Sequence, residues 1–212
     1  PTPSPAIPAP ELVTRGPAVP ASDDAASSPR ARRASSFEYG VGAGTGVGGF
    51  LLPGVGIGVT IAPFFGTRRL HIQAVAQYWL PQQVAAEDTR DVRAALQMAT
   101  AGARACPLLS WGRVRLELCA GVDAGGVFGR GRGAGLEATR VATDPWAAVV
   151  LAPGVRLAVA PRVSVGLALE GAISLYRPRF AVEGIPEDLW TVAAGGLRGL
   201  FSVQVHRPRE NR

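Results

Sequence analysis

From Phe37 onward the chain alternates apolar residues with small or polar ones at a period of two, over stretches too long for ordinary soluble strands. Eight segments stand out, at roughly 37–47, 54–64, 69–80, 92–106, 113–127, 146–159, 163–177 and 189–205. Most run to about 11 to 18 residues, against about five or six for a strand in a globular protein and about 9 to 11 for a tilted strand crossing a bilayer. Successive side chains of a strand point to opposite faces, so each segment carries two faces of different chemistry. In the seventh, Val163, Val165, Leu167, Leu169, Ile173 and Leu175 oppose Ser164, Gly166, Ala168, Glu170, Ala172 and Ser174. In the third, Leu70, Ile72, Ala74, Ala76 and Tyr78 oppose His71, Gln73 and Gln77.

Composition argues the same way. The chain holds 27 Gly and 18 Pro, and both disfavour helix interiors. The longest uncharged run, Tyr39 to Thr67, contains ten Gly and two Pro, with glycine at every second position. That period suits a strand and rules out a membrane-spanning helix or a phosphate-binding loop before a helix. All 22 basic residues are Arg, and they are scattered. A nucleic-acid-binding face would cluster them, so no nucleic acid is expected as a partner.

Residues 1–35 differ from the rest. They contain eight Pro and almost no large apolar side chains, too little to offset ordering entropy, and read as a disordered linker. The chain lacks an initiator Met and an apolar leader, so it reads as a mature form or a fragment. The linker could then tether a periplasmic or upstream domain. The domain reading is a linker at 1–35, a barrel at 36–206 and a C-terminal tail at 207–212.

Alternation alone does not choose between a soluble barrel and one in a membrane, because the two differ only in which face points inward. Three features choose the membrane. The face opposite the large aliphatics is small, with a few charges, as a narrow eight-stranded lumen demands. The connections alternate in length: short after the second, fourth and sixth segments, and long and polar after the third, fifth and seventh. All 14 aromatics fall near segment ends or in loops, as two interfacial girdles would require.

On these features residues 36–206 resemble the small outer-membrane barrels of the OmpA, OmpX and OmpW type. The resemblance implies an all-β, eight-stranded, antiparallel up-and-down barrel, monomeric, in the outer membrane of a Gram-negative bacterium. Its partners would be outer-membrane lipid and lipopolysaccharide. It transfers no functional residue, and the C-terminus departs from the usual aromatic ending by running on as HRPRENR.

Three groups of residues could carry chemistry. If the fourth and fifth strands turn at Gly112-Arg113, Cys106 lies opposite Cys119, and directly opposed β-carbons come within about 4.5 to 5.5 Å. A cross-strand disulfide is therefore expected in an oxidising periplasm. The lumen should hold Glu38, Glu117, Asp123 and Glu170 with Arg104, Arg115, Arg156 and Arg198, four acids against four bases. Such balance suggests paired networks. They either plug the barrel, the preferred reading, or form a gated pore whose pairs switch partners. His71, read as the only His in the barrel, has no assignable Ser and acid beside it, so no catalytic residue, metal or cofactor is expected. Arg130, Arg132 and Arg140 lie in an outer loop, where they could meet lipopolysaccharide phosphates.

The reading is internally inconsistent at residues 97–104 of strand four. An inward Cys106 puts Gln97 outward, whereas Val92, Leu96 and Met98 look lipid-facing. A β-bulge near Ala99–Gly102 would reconcile them. The function expected is a structural, non-enzymatic barrel with a closed lumen, or alternatively a small channel or carrier for a minor solute or apolar molecule.

Overall fold

A computed structural model describes residues 37–49, 51–85, 93–132, 141–181 and 188–208. The linker at 1–35, the last four residues of the tail and most of the long loops lie outside the described residues. Among the described residues ten strands follow one another: β1 (Glu38–Gly49), β2 (Val55–Gly66), β3 (Leu70–Ala85), β4 (Arg93–Trp111), β5 (Val114–Arg132), β6 (Val141–Ala160), β7 (Val163–Tyr176), β8 (Arg179–Ala181), β9 (Asp188–Thr191) and β10 (Gly195–Pro208). Eight of them close a barrel in the order β1-β10-β7-β6-β5-β4-β3-β2, with β8 and β9 forming a separate hairpin. Every pairing is antiparallel, and β1 closes the wall by pairing with β10 from Glu38↔Pro208 to Gly49↔Leu197. Closure leaves no free sheet edge.

The short connections are Thr67–Arg69, Gly112-Arg113 and Pro161-Arg162, all at the end where β1 begins and β10 finishes. Gly112 adopts φ 58°, a left-handed conformation that costs a residue without Cβ nothing. It allows Trp111 to pair directly with Val114.

The faces divide as the alternation requires. Val41, Val59, Ile61, Leu118, Val122, Leu151, Leu169, Ile173 and Val203 are exposed on the outer wall. Gly42, Gly46, Gly56 and Gly58 face inward and are buried. Inward glycines make room for large lumen side chains: a Cβ on Gly58 would lie 2.7 Å from the Trp79 ring, and one on Gly40 would lie 2.7 Å from the Phe64 ring.

Four details differ from the sequence reading. β4 has no bulge near Ala99–Gly102; its register with β5 runs unbroken from Arg93↔Arg132 to Ala105↔Ala120. Leu96 and Met98 instead point inward, 0% and 1% exposed, and outward Gln97 accepts a hydrogen bond from the Tyr78 hydroxyl at 2.9 Å. The irregularity lies in β3, between Trp79 and Gln82, where Pro81 cannot donate to the ladder. Trp79, Trp146 and Phe64 are lumen residues, buried, and not girdle residues; Tyr39, Phe65, Trp111 and Tyr176 are exposed aromatics near strand ends, while the exposed Tyr78 and Phe201 sit midway, opposite Ala99 and Thr45. Finally, residues 188–191 are a separate strand, and β10 runs to Pro208, so Arg207 and Pro208 of the expected tail pair with Tyr39 and Glu38.

Candidate functional site: the barrel lumen

The lumen is filled in three layers, from the short-turn end to the long-loop end. Glu38 organises the first. Arg115, across the barrel on β5, donates to its two carboxylate oxygens at 2.8 and 3.3 Å. His71 Nε2 lies 3.6 Å away and Arg68 Nε, on the rim, 3.9 Å away. Phe64 stacks on the His71 ring at 4.9 Å, and the Arg156 guanidinium packs over the same Phe64 ring, 5.6 Å from its centroid. Arg156 also pairs with Glu117. His206 is a second inward-facing His at this rim, half-buried on β10.

The middle layer centres on Glu170, which is fully buried. Its Oε2 accepts from Arg104 Nη1 at 2.6 Å and from Gln77 Nε2 at 3.2 Å, and its Oε1 accepts from Arg198 Nη1 at 2.8 Å. Arg104 Nη2 donates to Asp123 Oδ2 at 2.8 Å, and Arg198 also donates to Gln77 Oε1. Five strands (β3, β4, β5, β7 and β10) each contribute one residue. Two cations and two anions balance there, and each buried charge has an opposite charge as its partner, which is the condition for tolerating charge away from water. Between this layer and the first lies a cavity of about 60 Å³ lined by Gln73, Arg104, Glu117, Arg156 and Ser202, among others, roomy enough for water.

The outer layer is apolar. Leu96, Met98, Val127, Val150, Trp79 and Trp146 form one buried cluster with Leu51 and Leu52 of the first loop and Val192 of the β9–β10 connection. Arg198 joins it to the middle layer, its guanidinium 5.1 Å from the Trp79 ring and 5.6 Å from the Trp146 ring.

All eight charged residues singled out in the sequence therefore line the lumen, divided between two layers. Sequence reasoning placed Gln77 on the inward face without assigning it to the network, and it missed Trp79, Trp146 and Phe64 as cation partners because their nearness to strand ends suggested interfaces. Parity was the available signal: each shares the face of a polar or small residue two positions away. Cys106 and Cys119 form a disulfide on the inward face with a Cα–Cα distance of 4.0 Å. Glu117 converges on the same sulfurs, which are committed to each other. Ser174 Oγ accepts from Trp146 Nε1 at 3.1 Å and donates to the Ala193 carbonyl at 3.0 Å. Among the outer arginines, Arg130 is exposed; the side chains of Arg132 and Arg140 lie outside the described residues.

No protein-family model and no curated protein sequence matches the chain. Solved structures do. Neisserial surface protein A (NspA) superposes with a TM-score of 0.56 at 12% identity, covering 80% of this chain and 96% of its own. A major outer membrane protein from Thermus thermophilus gives 0.57 at 10% identity, covering 81% and 100%. Ail, the attachment invasion locus protein of Yersinia pestis, gives 0.51 at 8% identity, covering 81% and 99%. At these identities the likeness is one of fold, and by fold the chain is a small eight-stranded β-barrel of the outer-membrane type.

Proposed function

We propose that the chain is a structural, non-enzymatic barrel of the Gram-negative outer membrane whose lumen is closed. The observation that carries this reading is the Glu170 layer, in which ion-paired side chains from four strands, joined by Gln77 from a fifth, meet across the barrel. An eight-stranded interior is just wide enough for side chains to fill, and two further layers fill the rest. The exposed aliphatic belt of the outer wall supports residence in a bilayer. Planar-bilayer recordings test closure: the purified barrel should show no steady open level, and a sustained conductance would overturn the reading.

A second reading, a narrow gated pore, is favoured by the cavity of about 60 Å³ between the two charged layers, where a pair could exchange partners across hydrated space. The same recordings separate the two. Lipopolysaccharide is the partner proposed for the outer rim, where Arg130 is exposed and Arg93 sits opposite Arg132 in the ladder; Arg suits phosphate by its planar fork. Ail, which shares the fold, has been crystallised with the heparin analogue sucrose octasulfate. Residues 1–35 are proposed as a tether to a periplasmic or upstream element. Co-purification of such an element with the full chain, lost on deleting 1–35, is the expected result.

A further inference from the structure

The outer wall is grooved along one line, the seam where β1 meets β10. Outward residues there are small or short on one flank: Val41, Ala43, Thr45 and Val47 on β1, with bare Gly199 opposite Val47 on β10. A Cβ on Gly199 would meet nothing closer than the Val47 carbonyl at 4.0 Å. Two grooves lie in line along these strands. One, of about 420 Å³ at the short-turn rim, is lined by Tyr39, Val41, Arg162, Val205 and Arg207. The other, of about 470 Å³, is lined further up the wall by Thr45, Val47, Leu167, Gly199 and Phe201. Val41 to Val47 is about 20 Å of strand. At a tilt of about 40° that is about 15 Å of depth, half of a hydrocarbon core of about 30 Å. Together the grooves match the thickness of one leaflet.

Charge in these grooves is confined to the rim. Arg162, in the turn between β6 and β7, and Arg207, near the end of β10, are both exposed. Backbone contacts set them side by side: His206 N donates to the Arg162 carbonyl at 2.9 Å, and Arg207 pairs with Tyr39 in the ladder. Among the described residues neither joins an ion pair. The described acids nearest this rim, Glu38 and Glu117, face the lumen and are engaged by Arg115 and Arg156. The seam thus offers two guanidiniums and an aromatic ring at the interface, with uncharged wall above them. That pattern is complementary to an anionic head on a hydrocarbon tail, and the planar fork of Arg suits a phosphate.

We propose that the seam binds one anionic phospholipid from the leaflet at the short-turn end. Its phosphate sits between Arg162 and Arg207, and one acyl chain lies along β1 and β10 as far as Gly199. Short turns face the periplasm in barrels of this kind, where the leaflet is phospholipid and not lipopolysaccharide. The lipid touches both strands that close the wall and the turn hydrogen-bonded to them, so it braces the closure. The inference rests on the reading of the wall as bilayer-embedded but fails separately from it, because quenching of Trp111 by brominated lipid reads insertion and lipid counting reads this site.

The test is native mass spectrometry of the full chain in detergent, titrated with palmitoyl-oleoyl-phosphatidylglycerol. One lipid should bind ahead of all others, and the zwitterionic phosphatidylcholine with the same tails should bind about fivefold more weakly. Arg162→Gln/Arg207→Gln leaves the backbone contacts in place and should weaken phosphatidylglycerol binding about thirtyfold. Arg69→Gln/Arg113→Gln removes the same charge from the other exposed turns of this rim and should change it by less than about twofold. Gly199→Leu fills the upper groove and should weaken both lipids about equally, by at least about threefold. Glycerol phosphate, a headgroup without tails, should not displace the lipid. Every variant is checked for retained β circular dichroism. Graded uptake with no first site, equal losses from the two arginine pairs, displacement by glycerol phosphate, or unchanged affinity in a folded Gly199→Leu barrel would each overturn the proposal.

Discussion

Glu170 shows how a single residue can be legible in position and illegible in partnership. Its parity on β7 placed it in the lumen, but no sequence spacing announces that β3, β4 and β10 deliver Gln77, Arg104 and Arg198 to it, because those meetings depend on barrel curvature and stagger. The geometry predicts an asymmetry. Glu170→Gln should destabilise the barrel by about 3–5 kcal/mol, the usual cost of leaving buried partners uncompensated. Arg68→Gln, whose side chain is 73% exposed at 3.9 Å from Glu38, should cost on the order of 0–1 kcal/mol. Urea unfolding in the same lipid reads both. The inward glycines make a matching prediction. Gly58→Val drives a side chain into the Trp79 ring and should cost about 1–3 kcal/mol. Trp79→Ala should recover part of that loss in a double-mutant cycle, which a general loss of glycine flexibility would not allow.

At the scale of elements, the hairpin of β4 and β5 is the most firmly specified unit. Gly112 sets the turn, the turn sets the register, and the register brings Cys106 opposite Cys119. With a sequence separation of 13, the crosslink should contribute about 3 kcal/mol by restricting the unfolded chain. A Cys106→Ser/Cys119→Ser variant should unfold at correspondingly lower urea, and thiol titration of the unreduced protein should find no free sulfhydryl. The same strand holds the clearest misreading. Alternation assigns Leu96 and Met98 to lipid only on the premise that a membrane barrel is polar inside throughout its length. That premise holds at Arg104 and fails above Thr100, where the lumen becomes apolar. Trp79 and Trp146 escape a sequence reading for the same reason. Strand ends erred toward shortness: β3, β4 and β5 all extend beyond their alternating segments, since backbone pairing continues into residues whose side chains no longer alternate.

The whole molecule separates its indoles by environment. Trp111 is exposed on the outer wall, while Trp79 and Trp146 are enclosed. Reconstituted in bilayers containing brominated phospholipid, with the half-buried Trp190 replaced by Phe so that three indoles remain, Trp111 fluorescence should be strongly quenched and that of Trp79 and Trp146 largely spared, compared through the Trp111→Phe/Trp190→Phe variant. Equal quenching of all would contradict the inside–outside assignment. The fold class, most of the face assignments and the charged residues of the two inner layers were thus readable from alternation and turns. The layering was not, because it arises from which strands face one another across a closed cylinder. That closure has a consequence for assembly. The seam joins β1 to β10, the first and last strands of the barrel, and β10 also carries Arg198, one of the two arginines that hold Glu170. A growing chain can therefore neither seal its wall nor neutralise its buried carboxylate until its final strand arrives. Both events wait on the same strand, so a barrel that stalls before β10 docks presents two open edges and a half-partnered acid together.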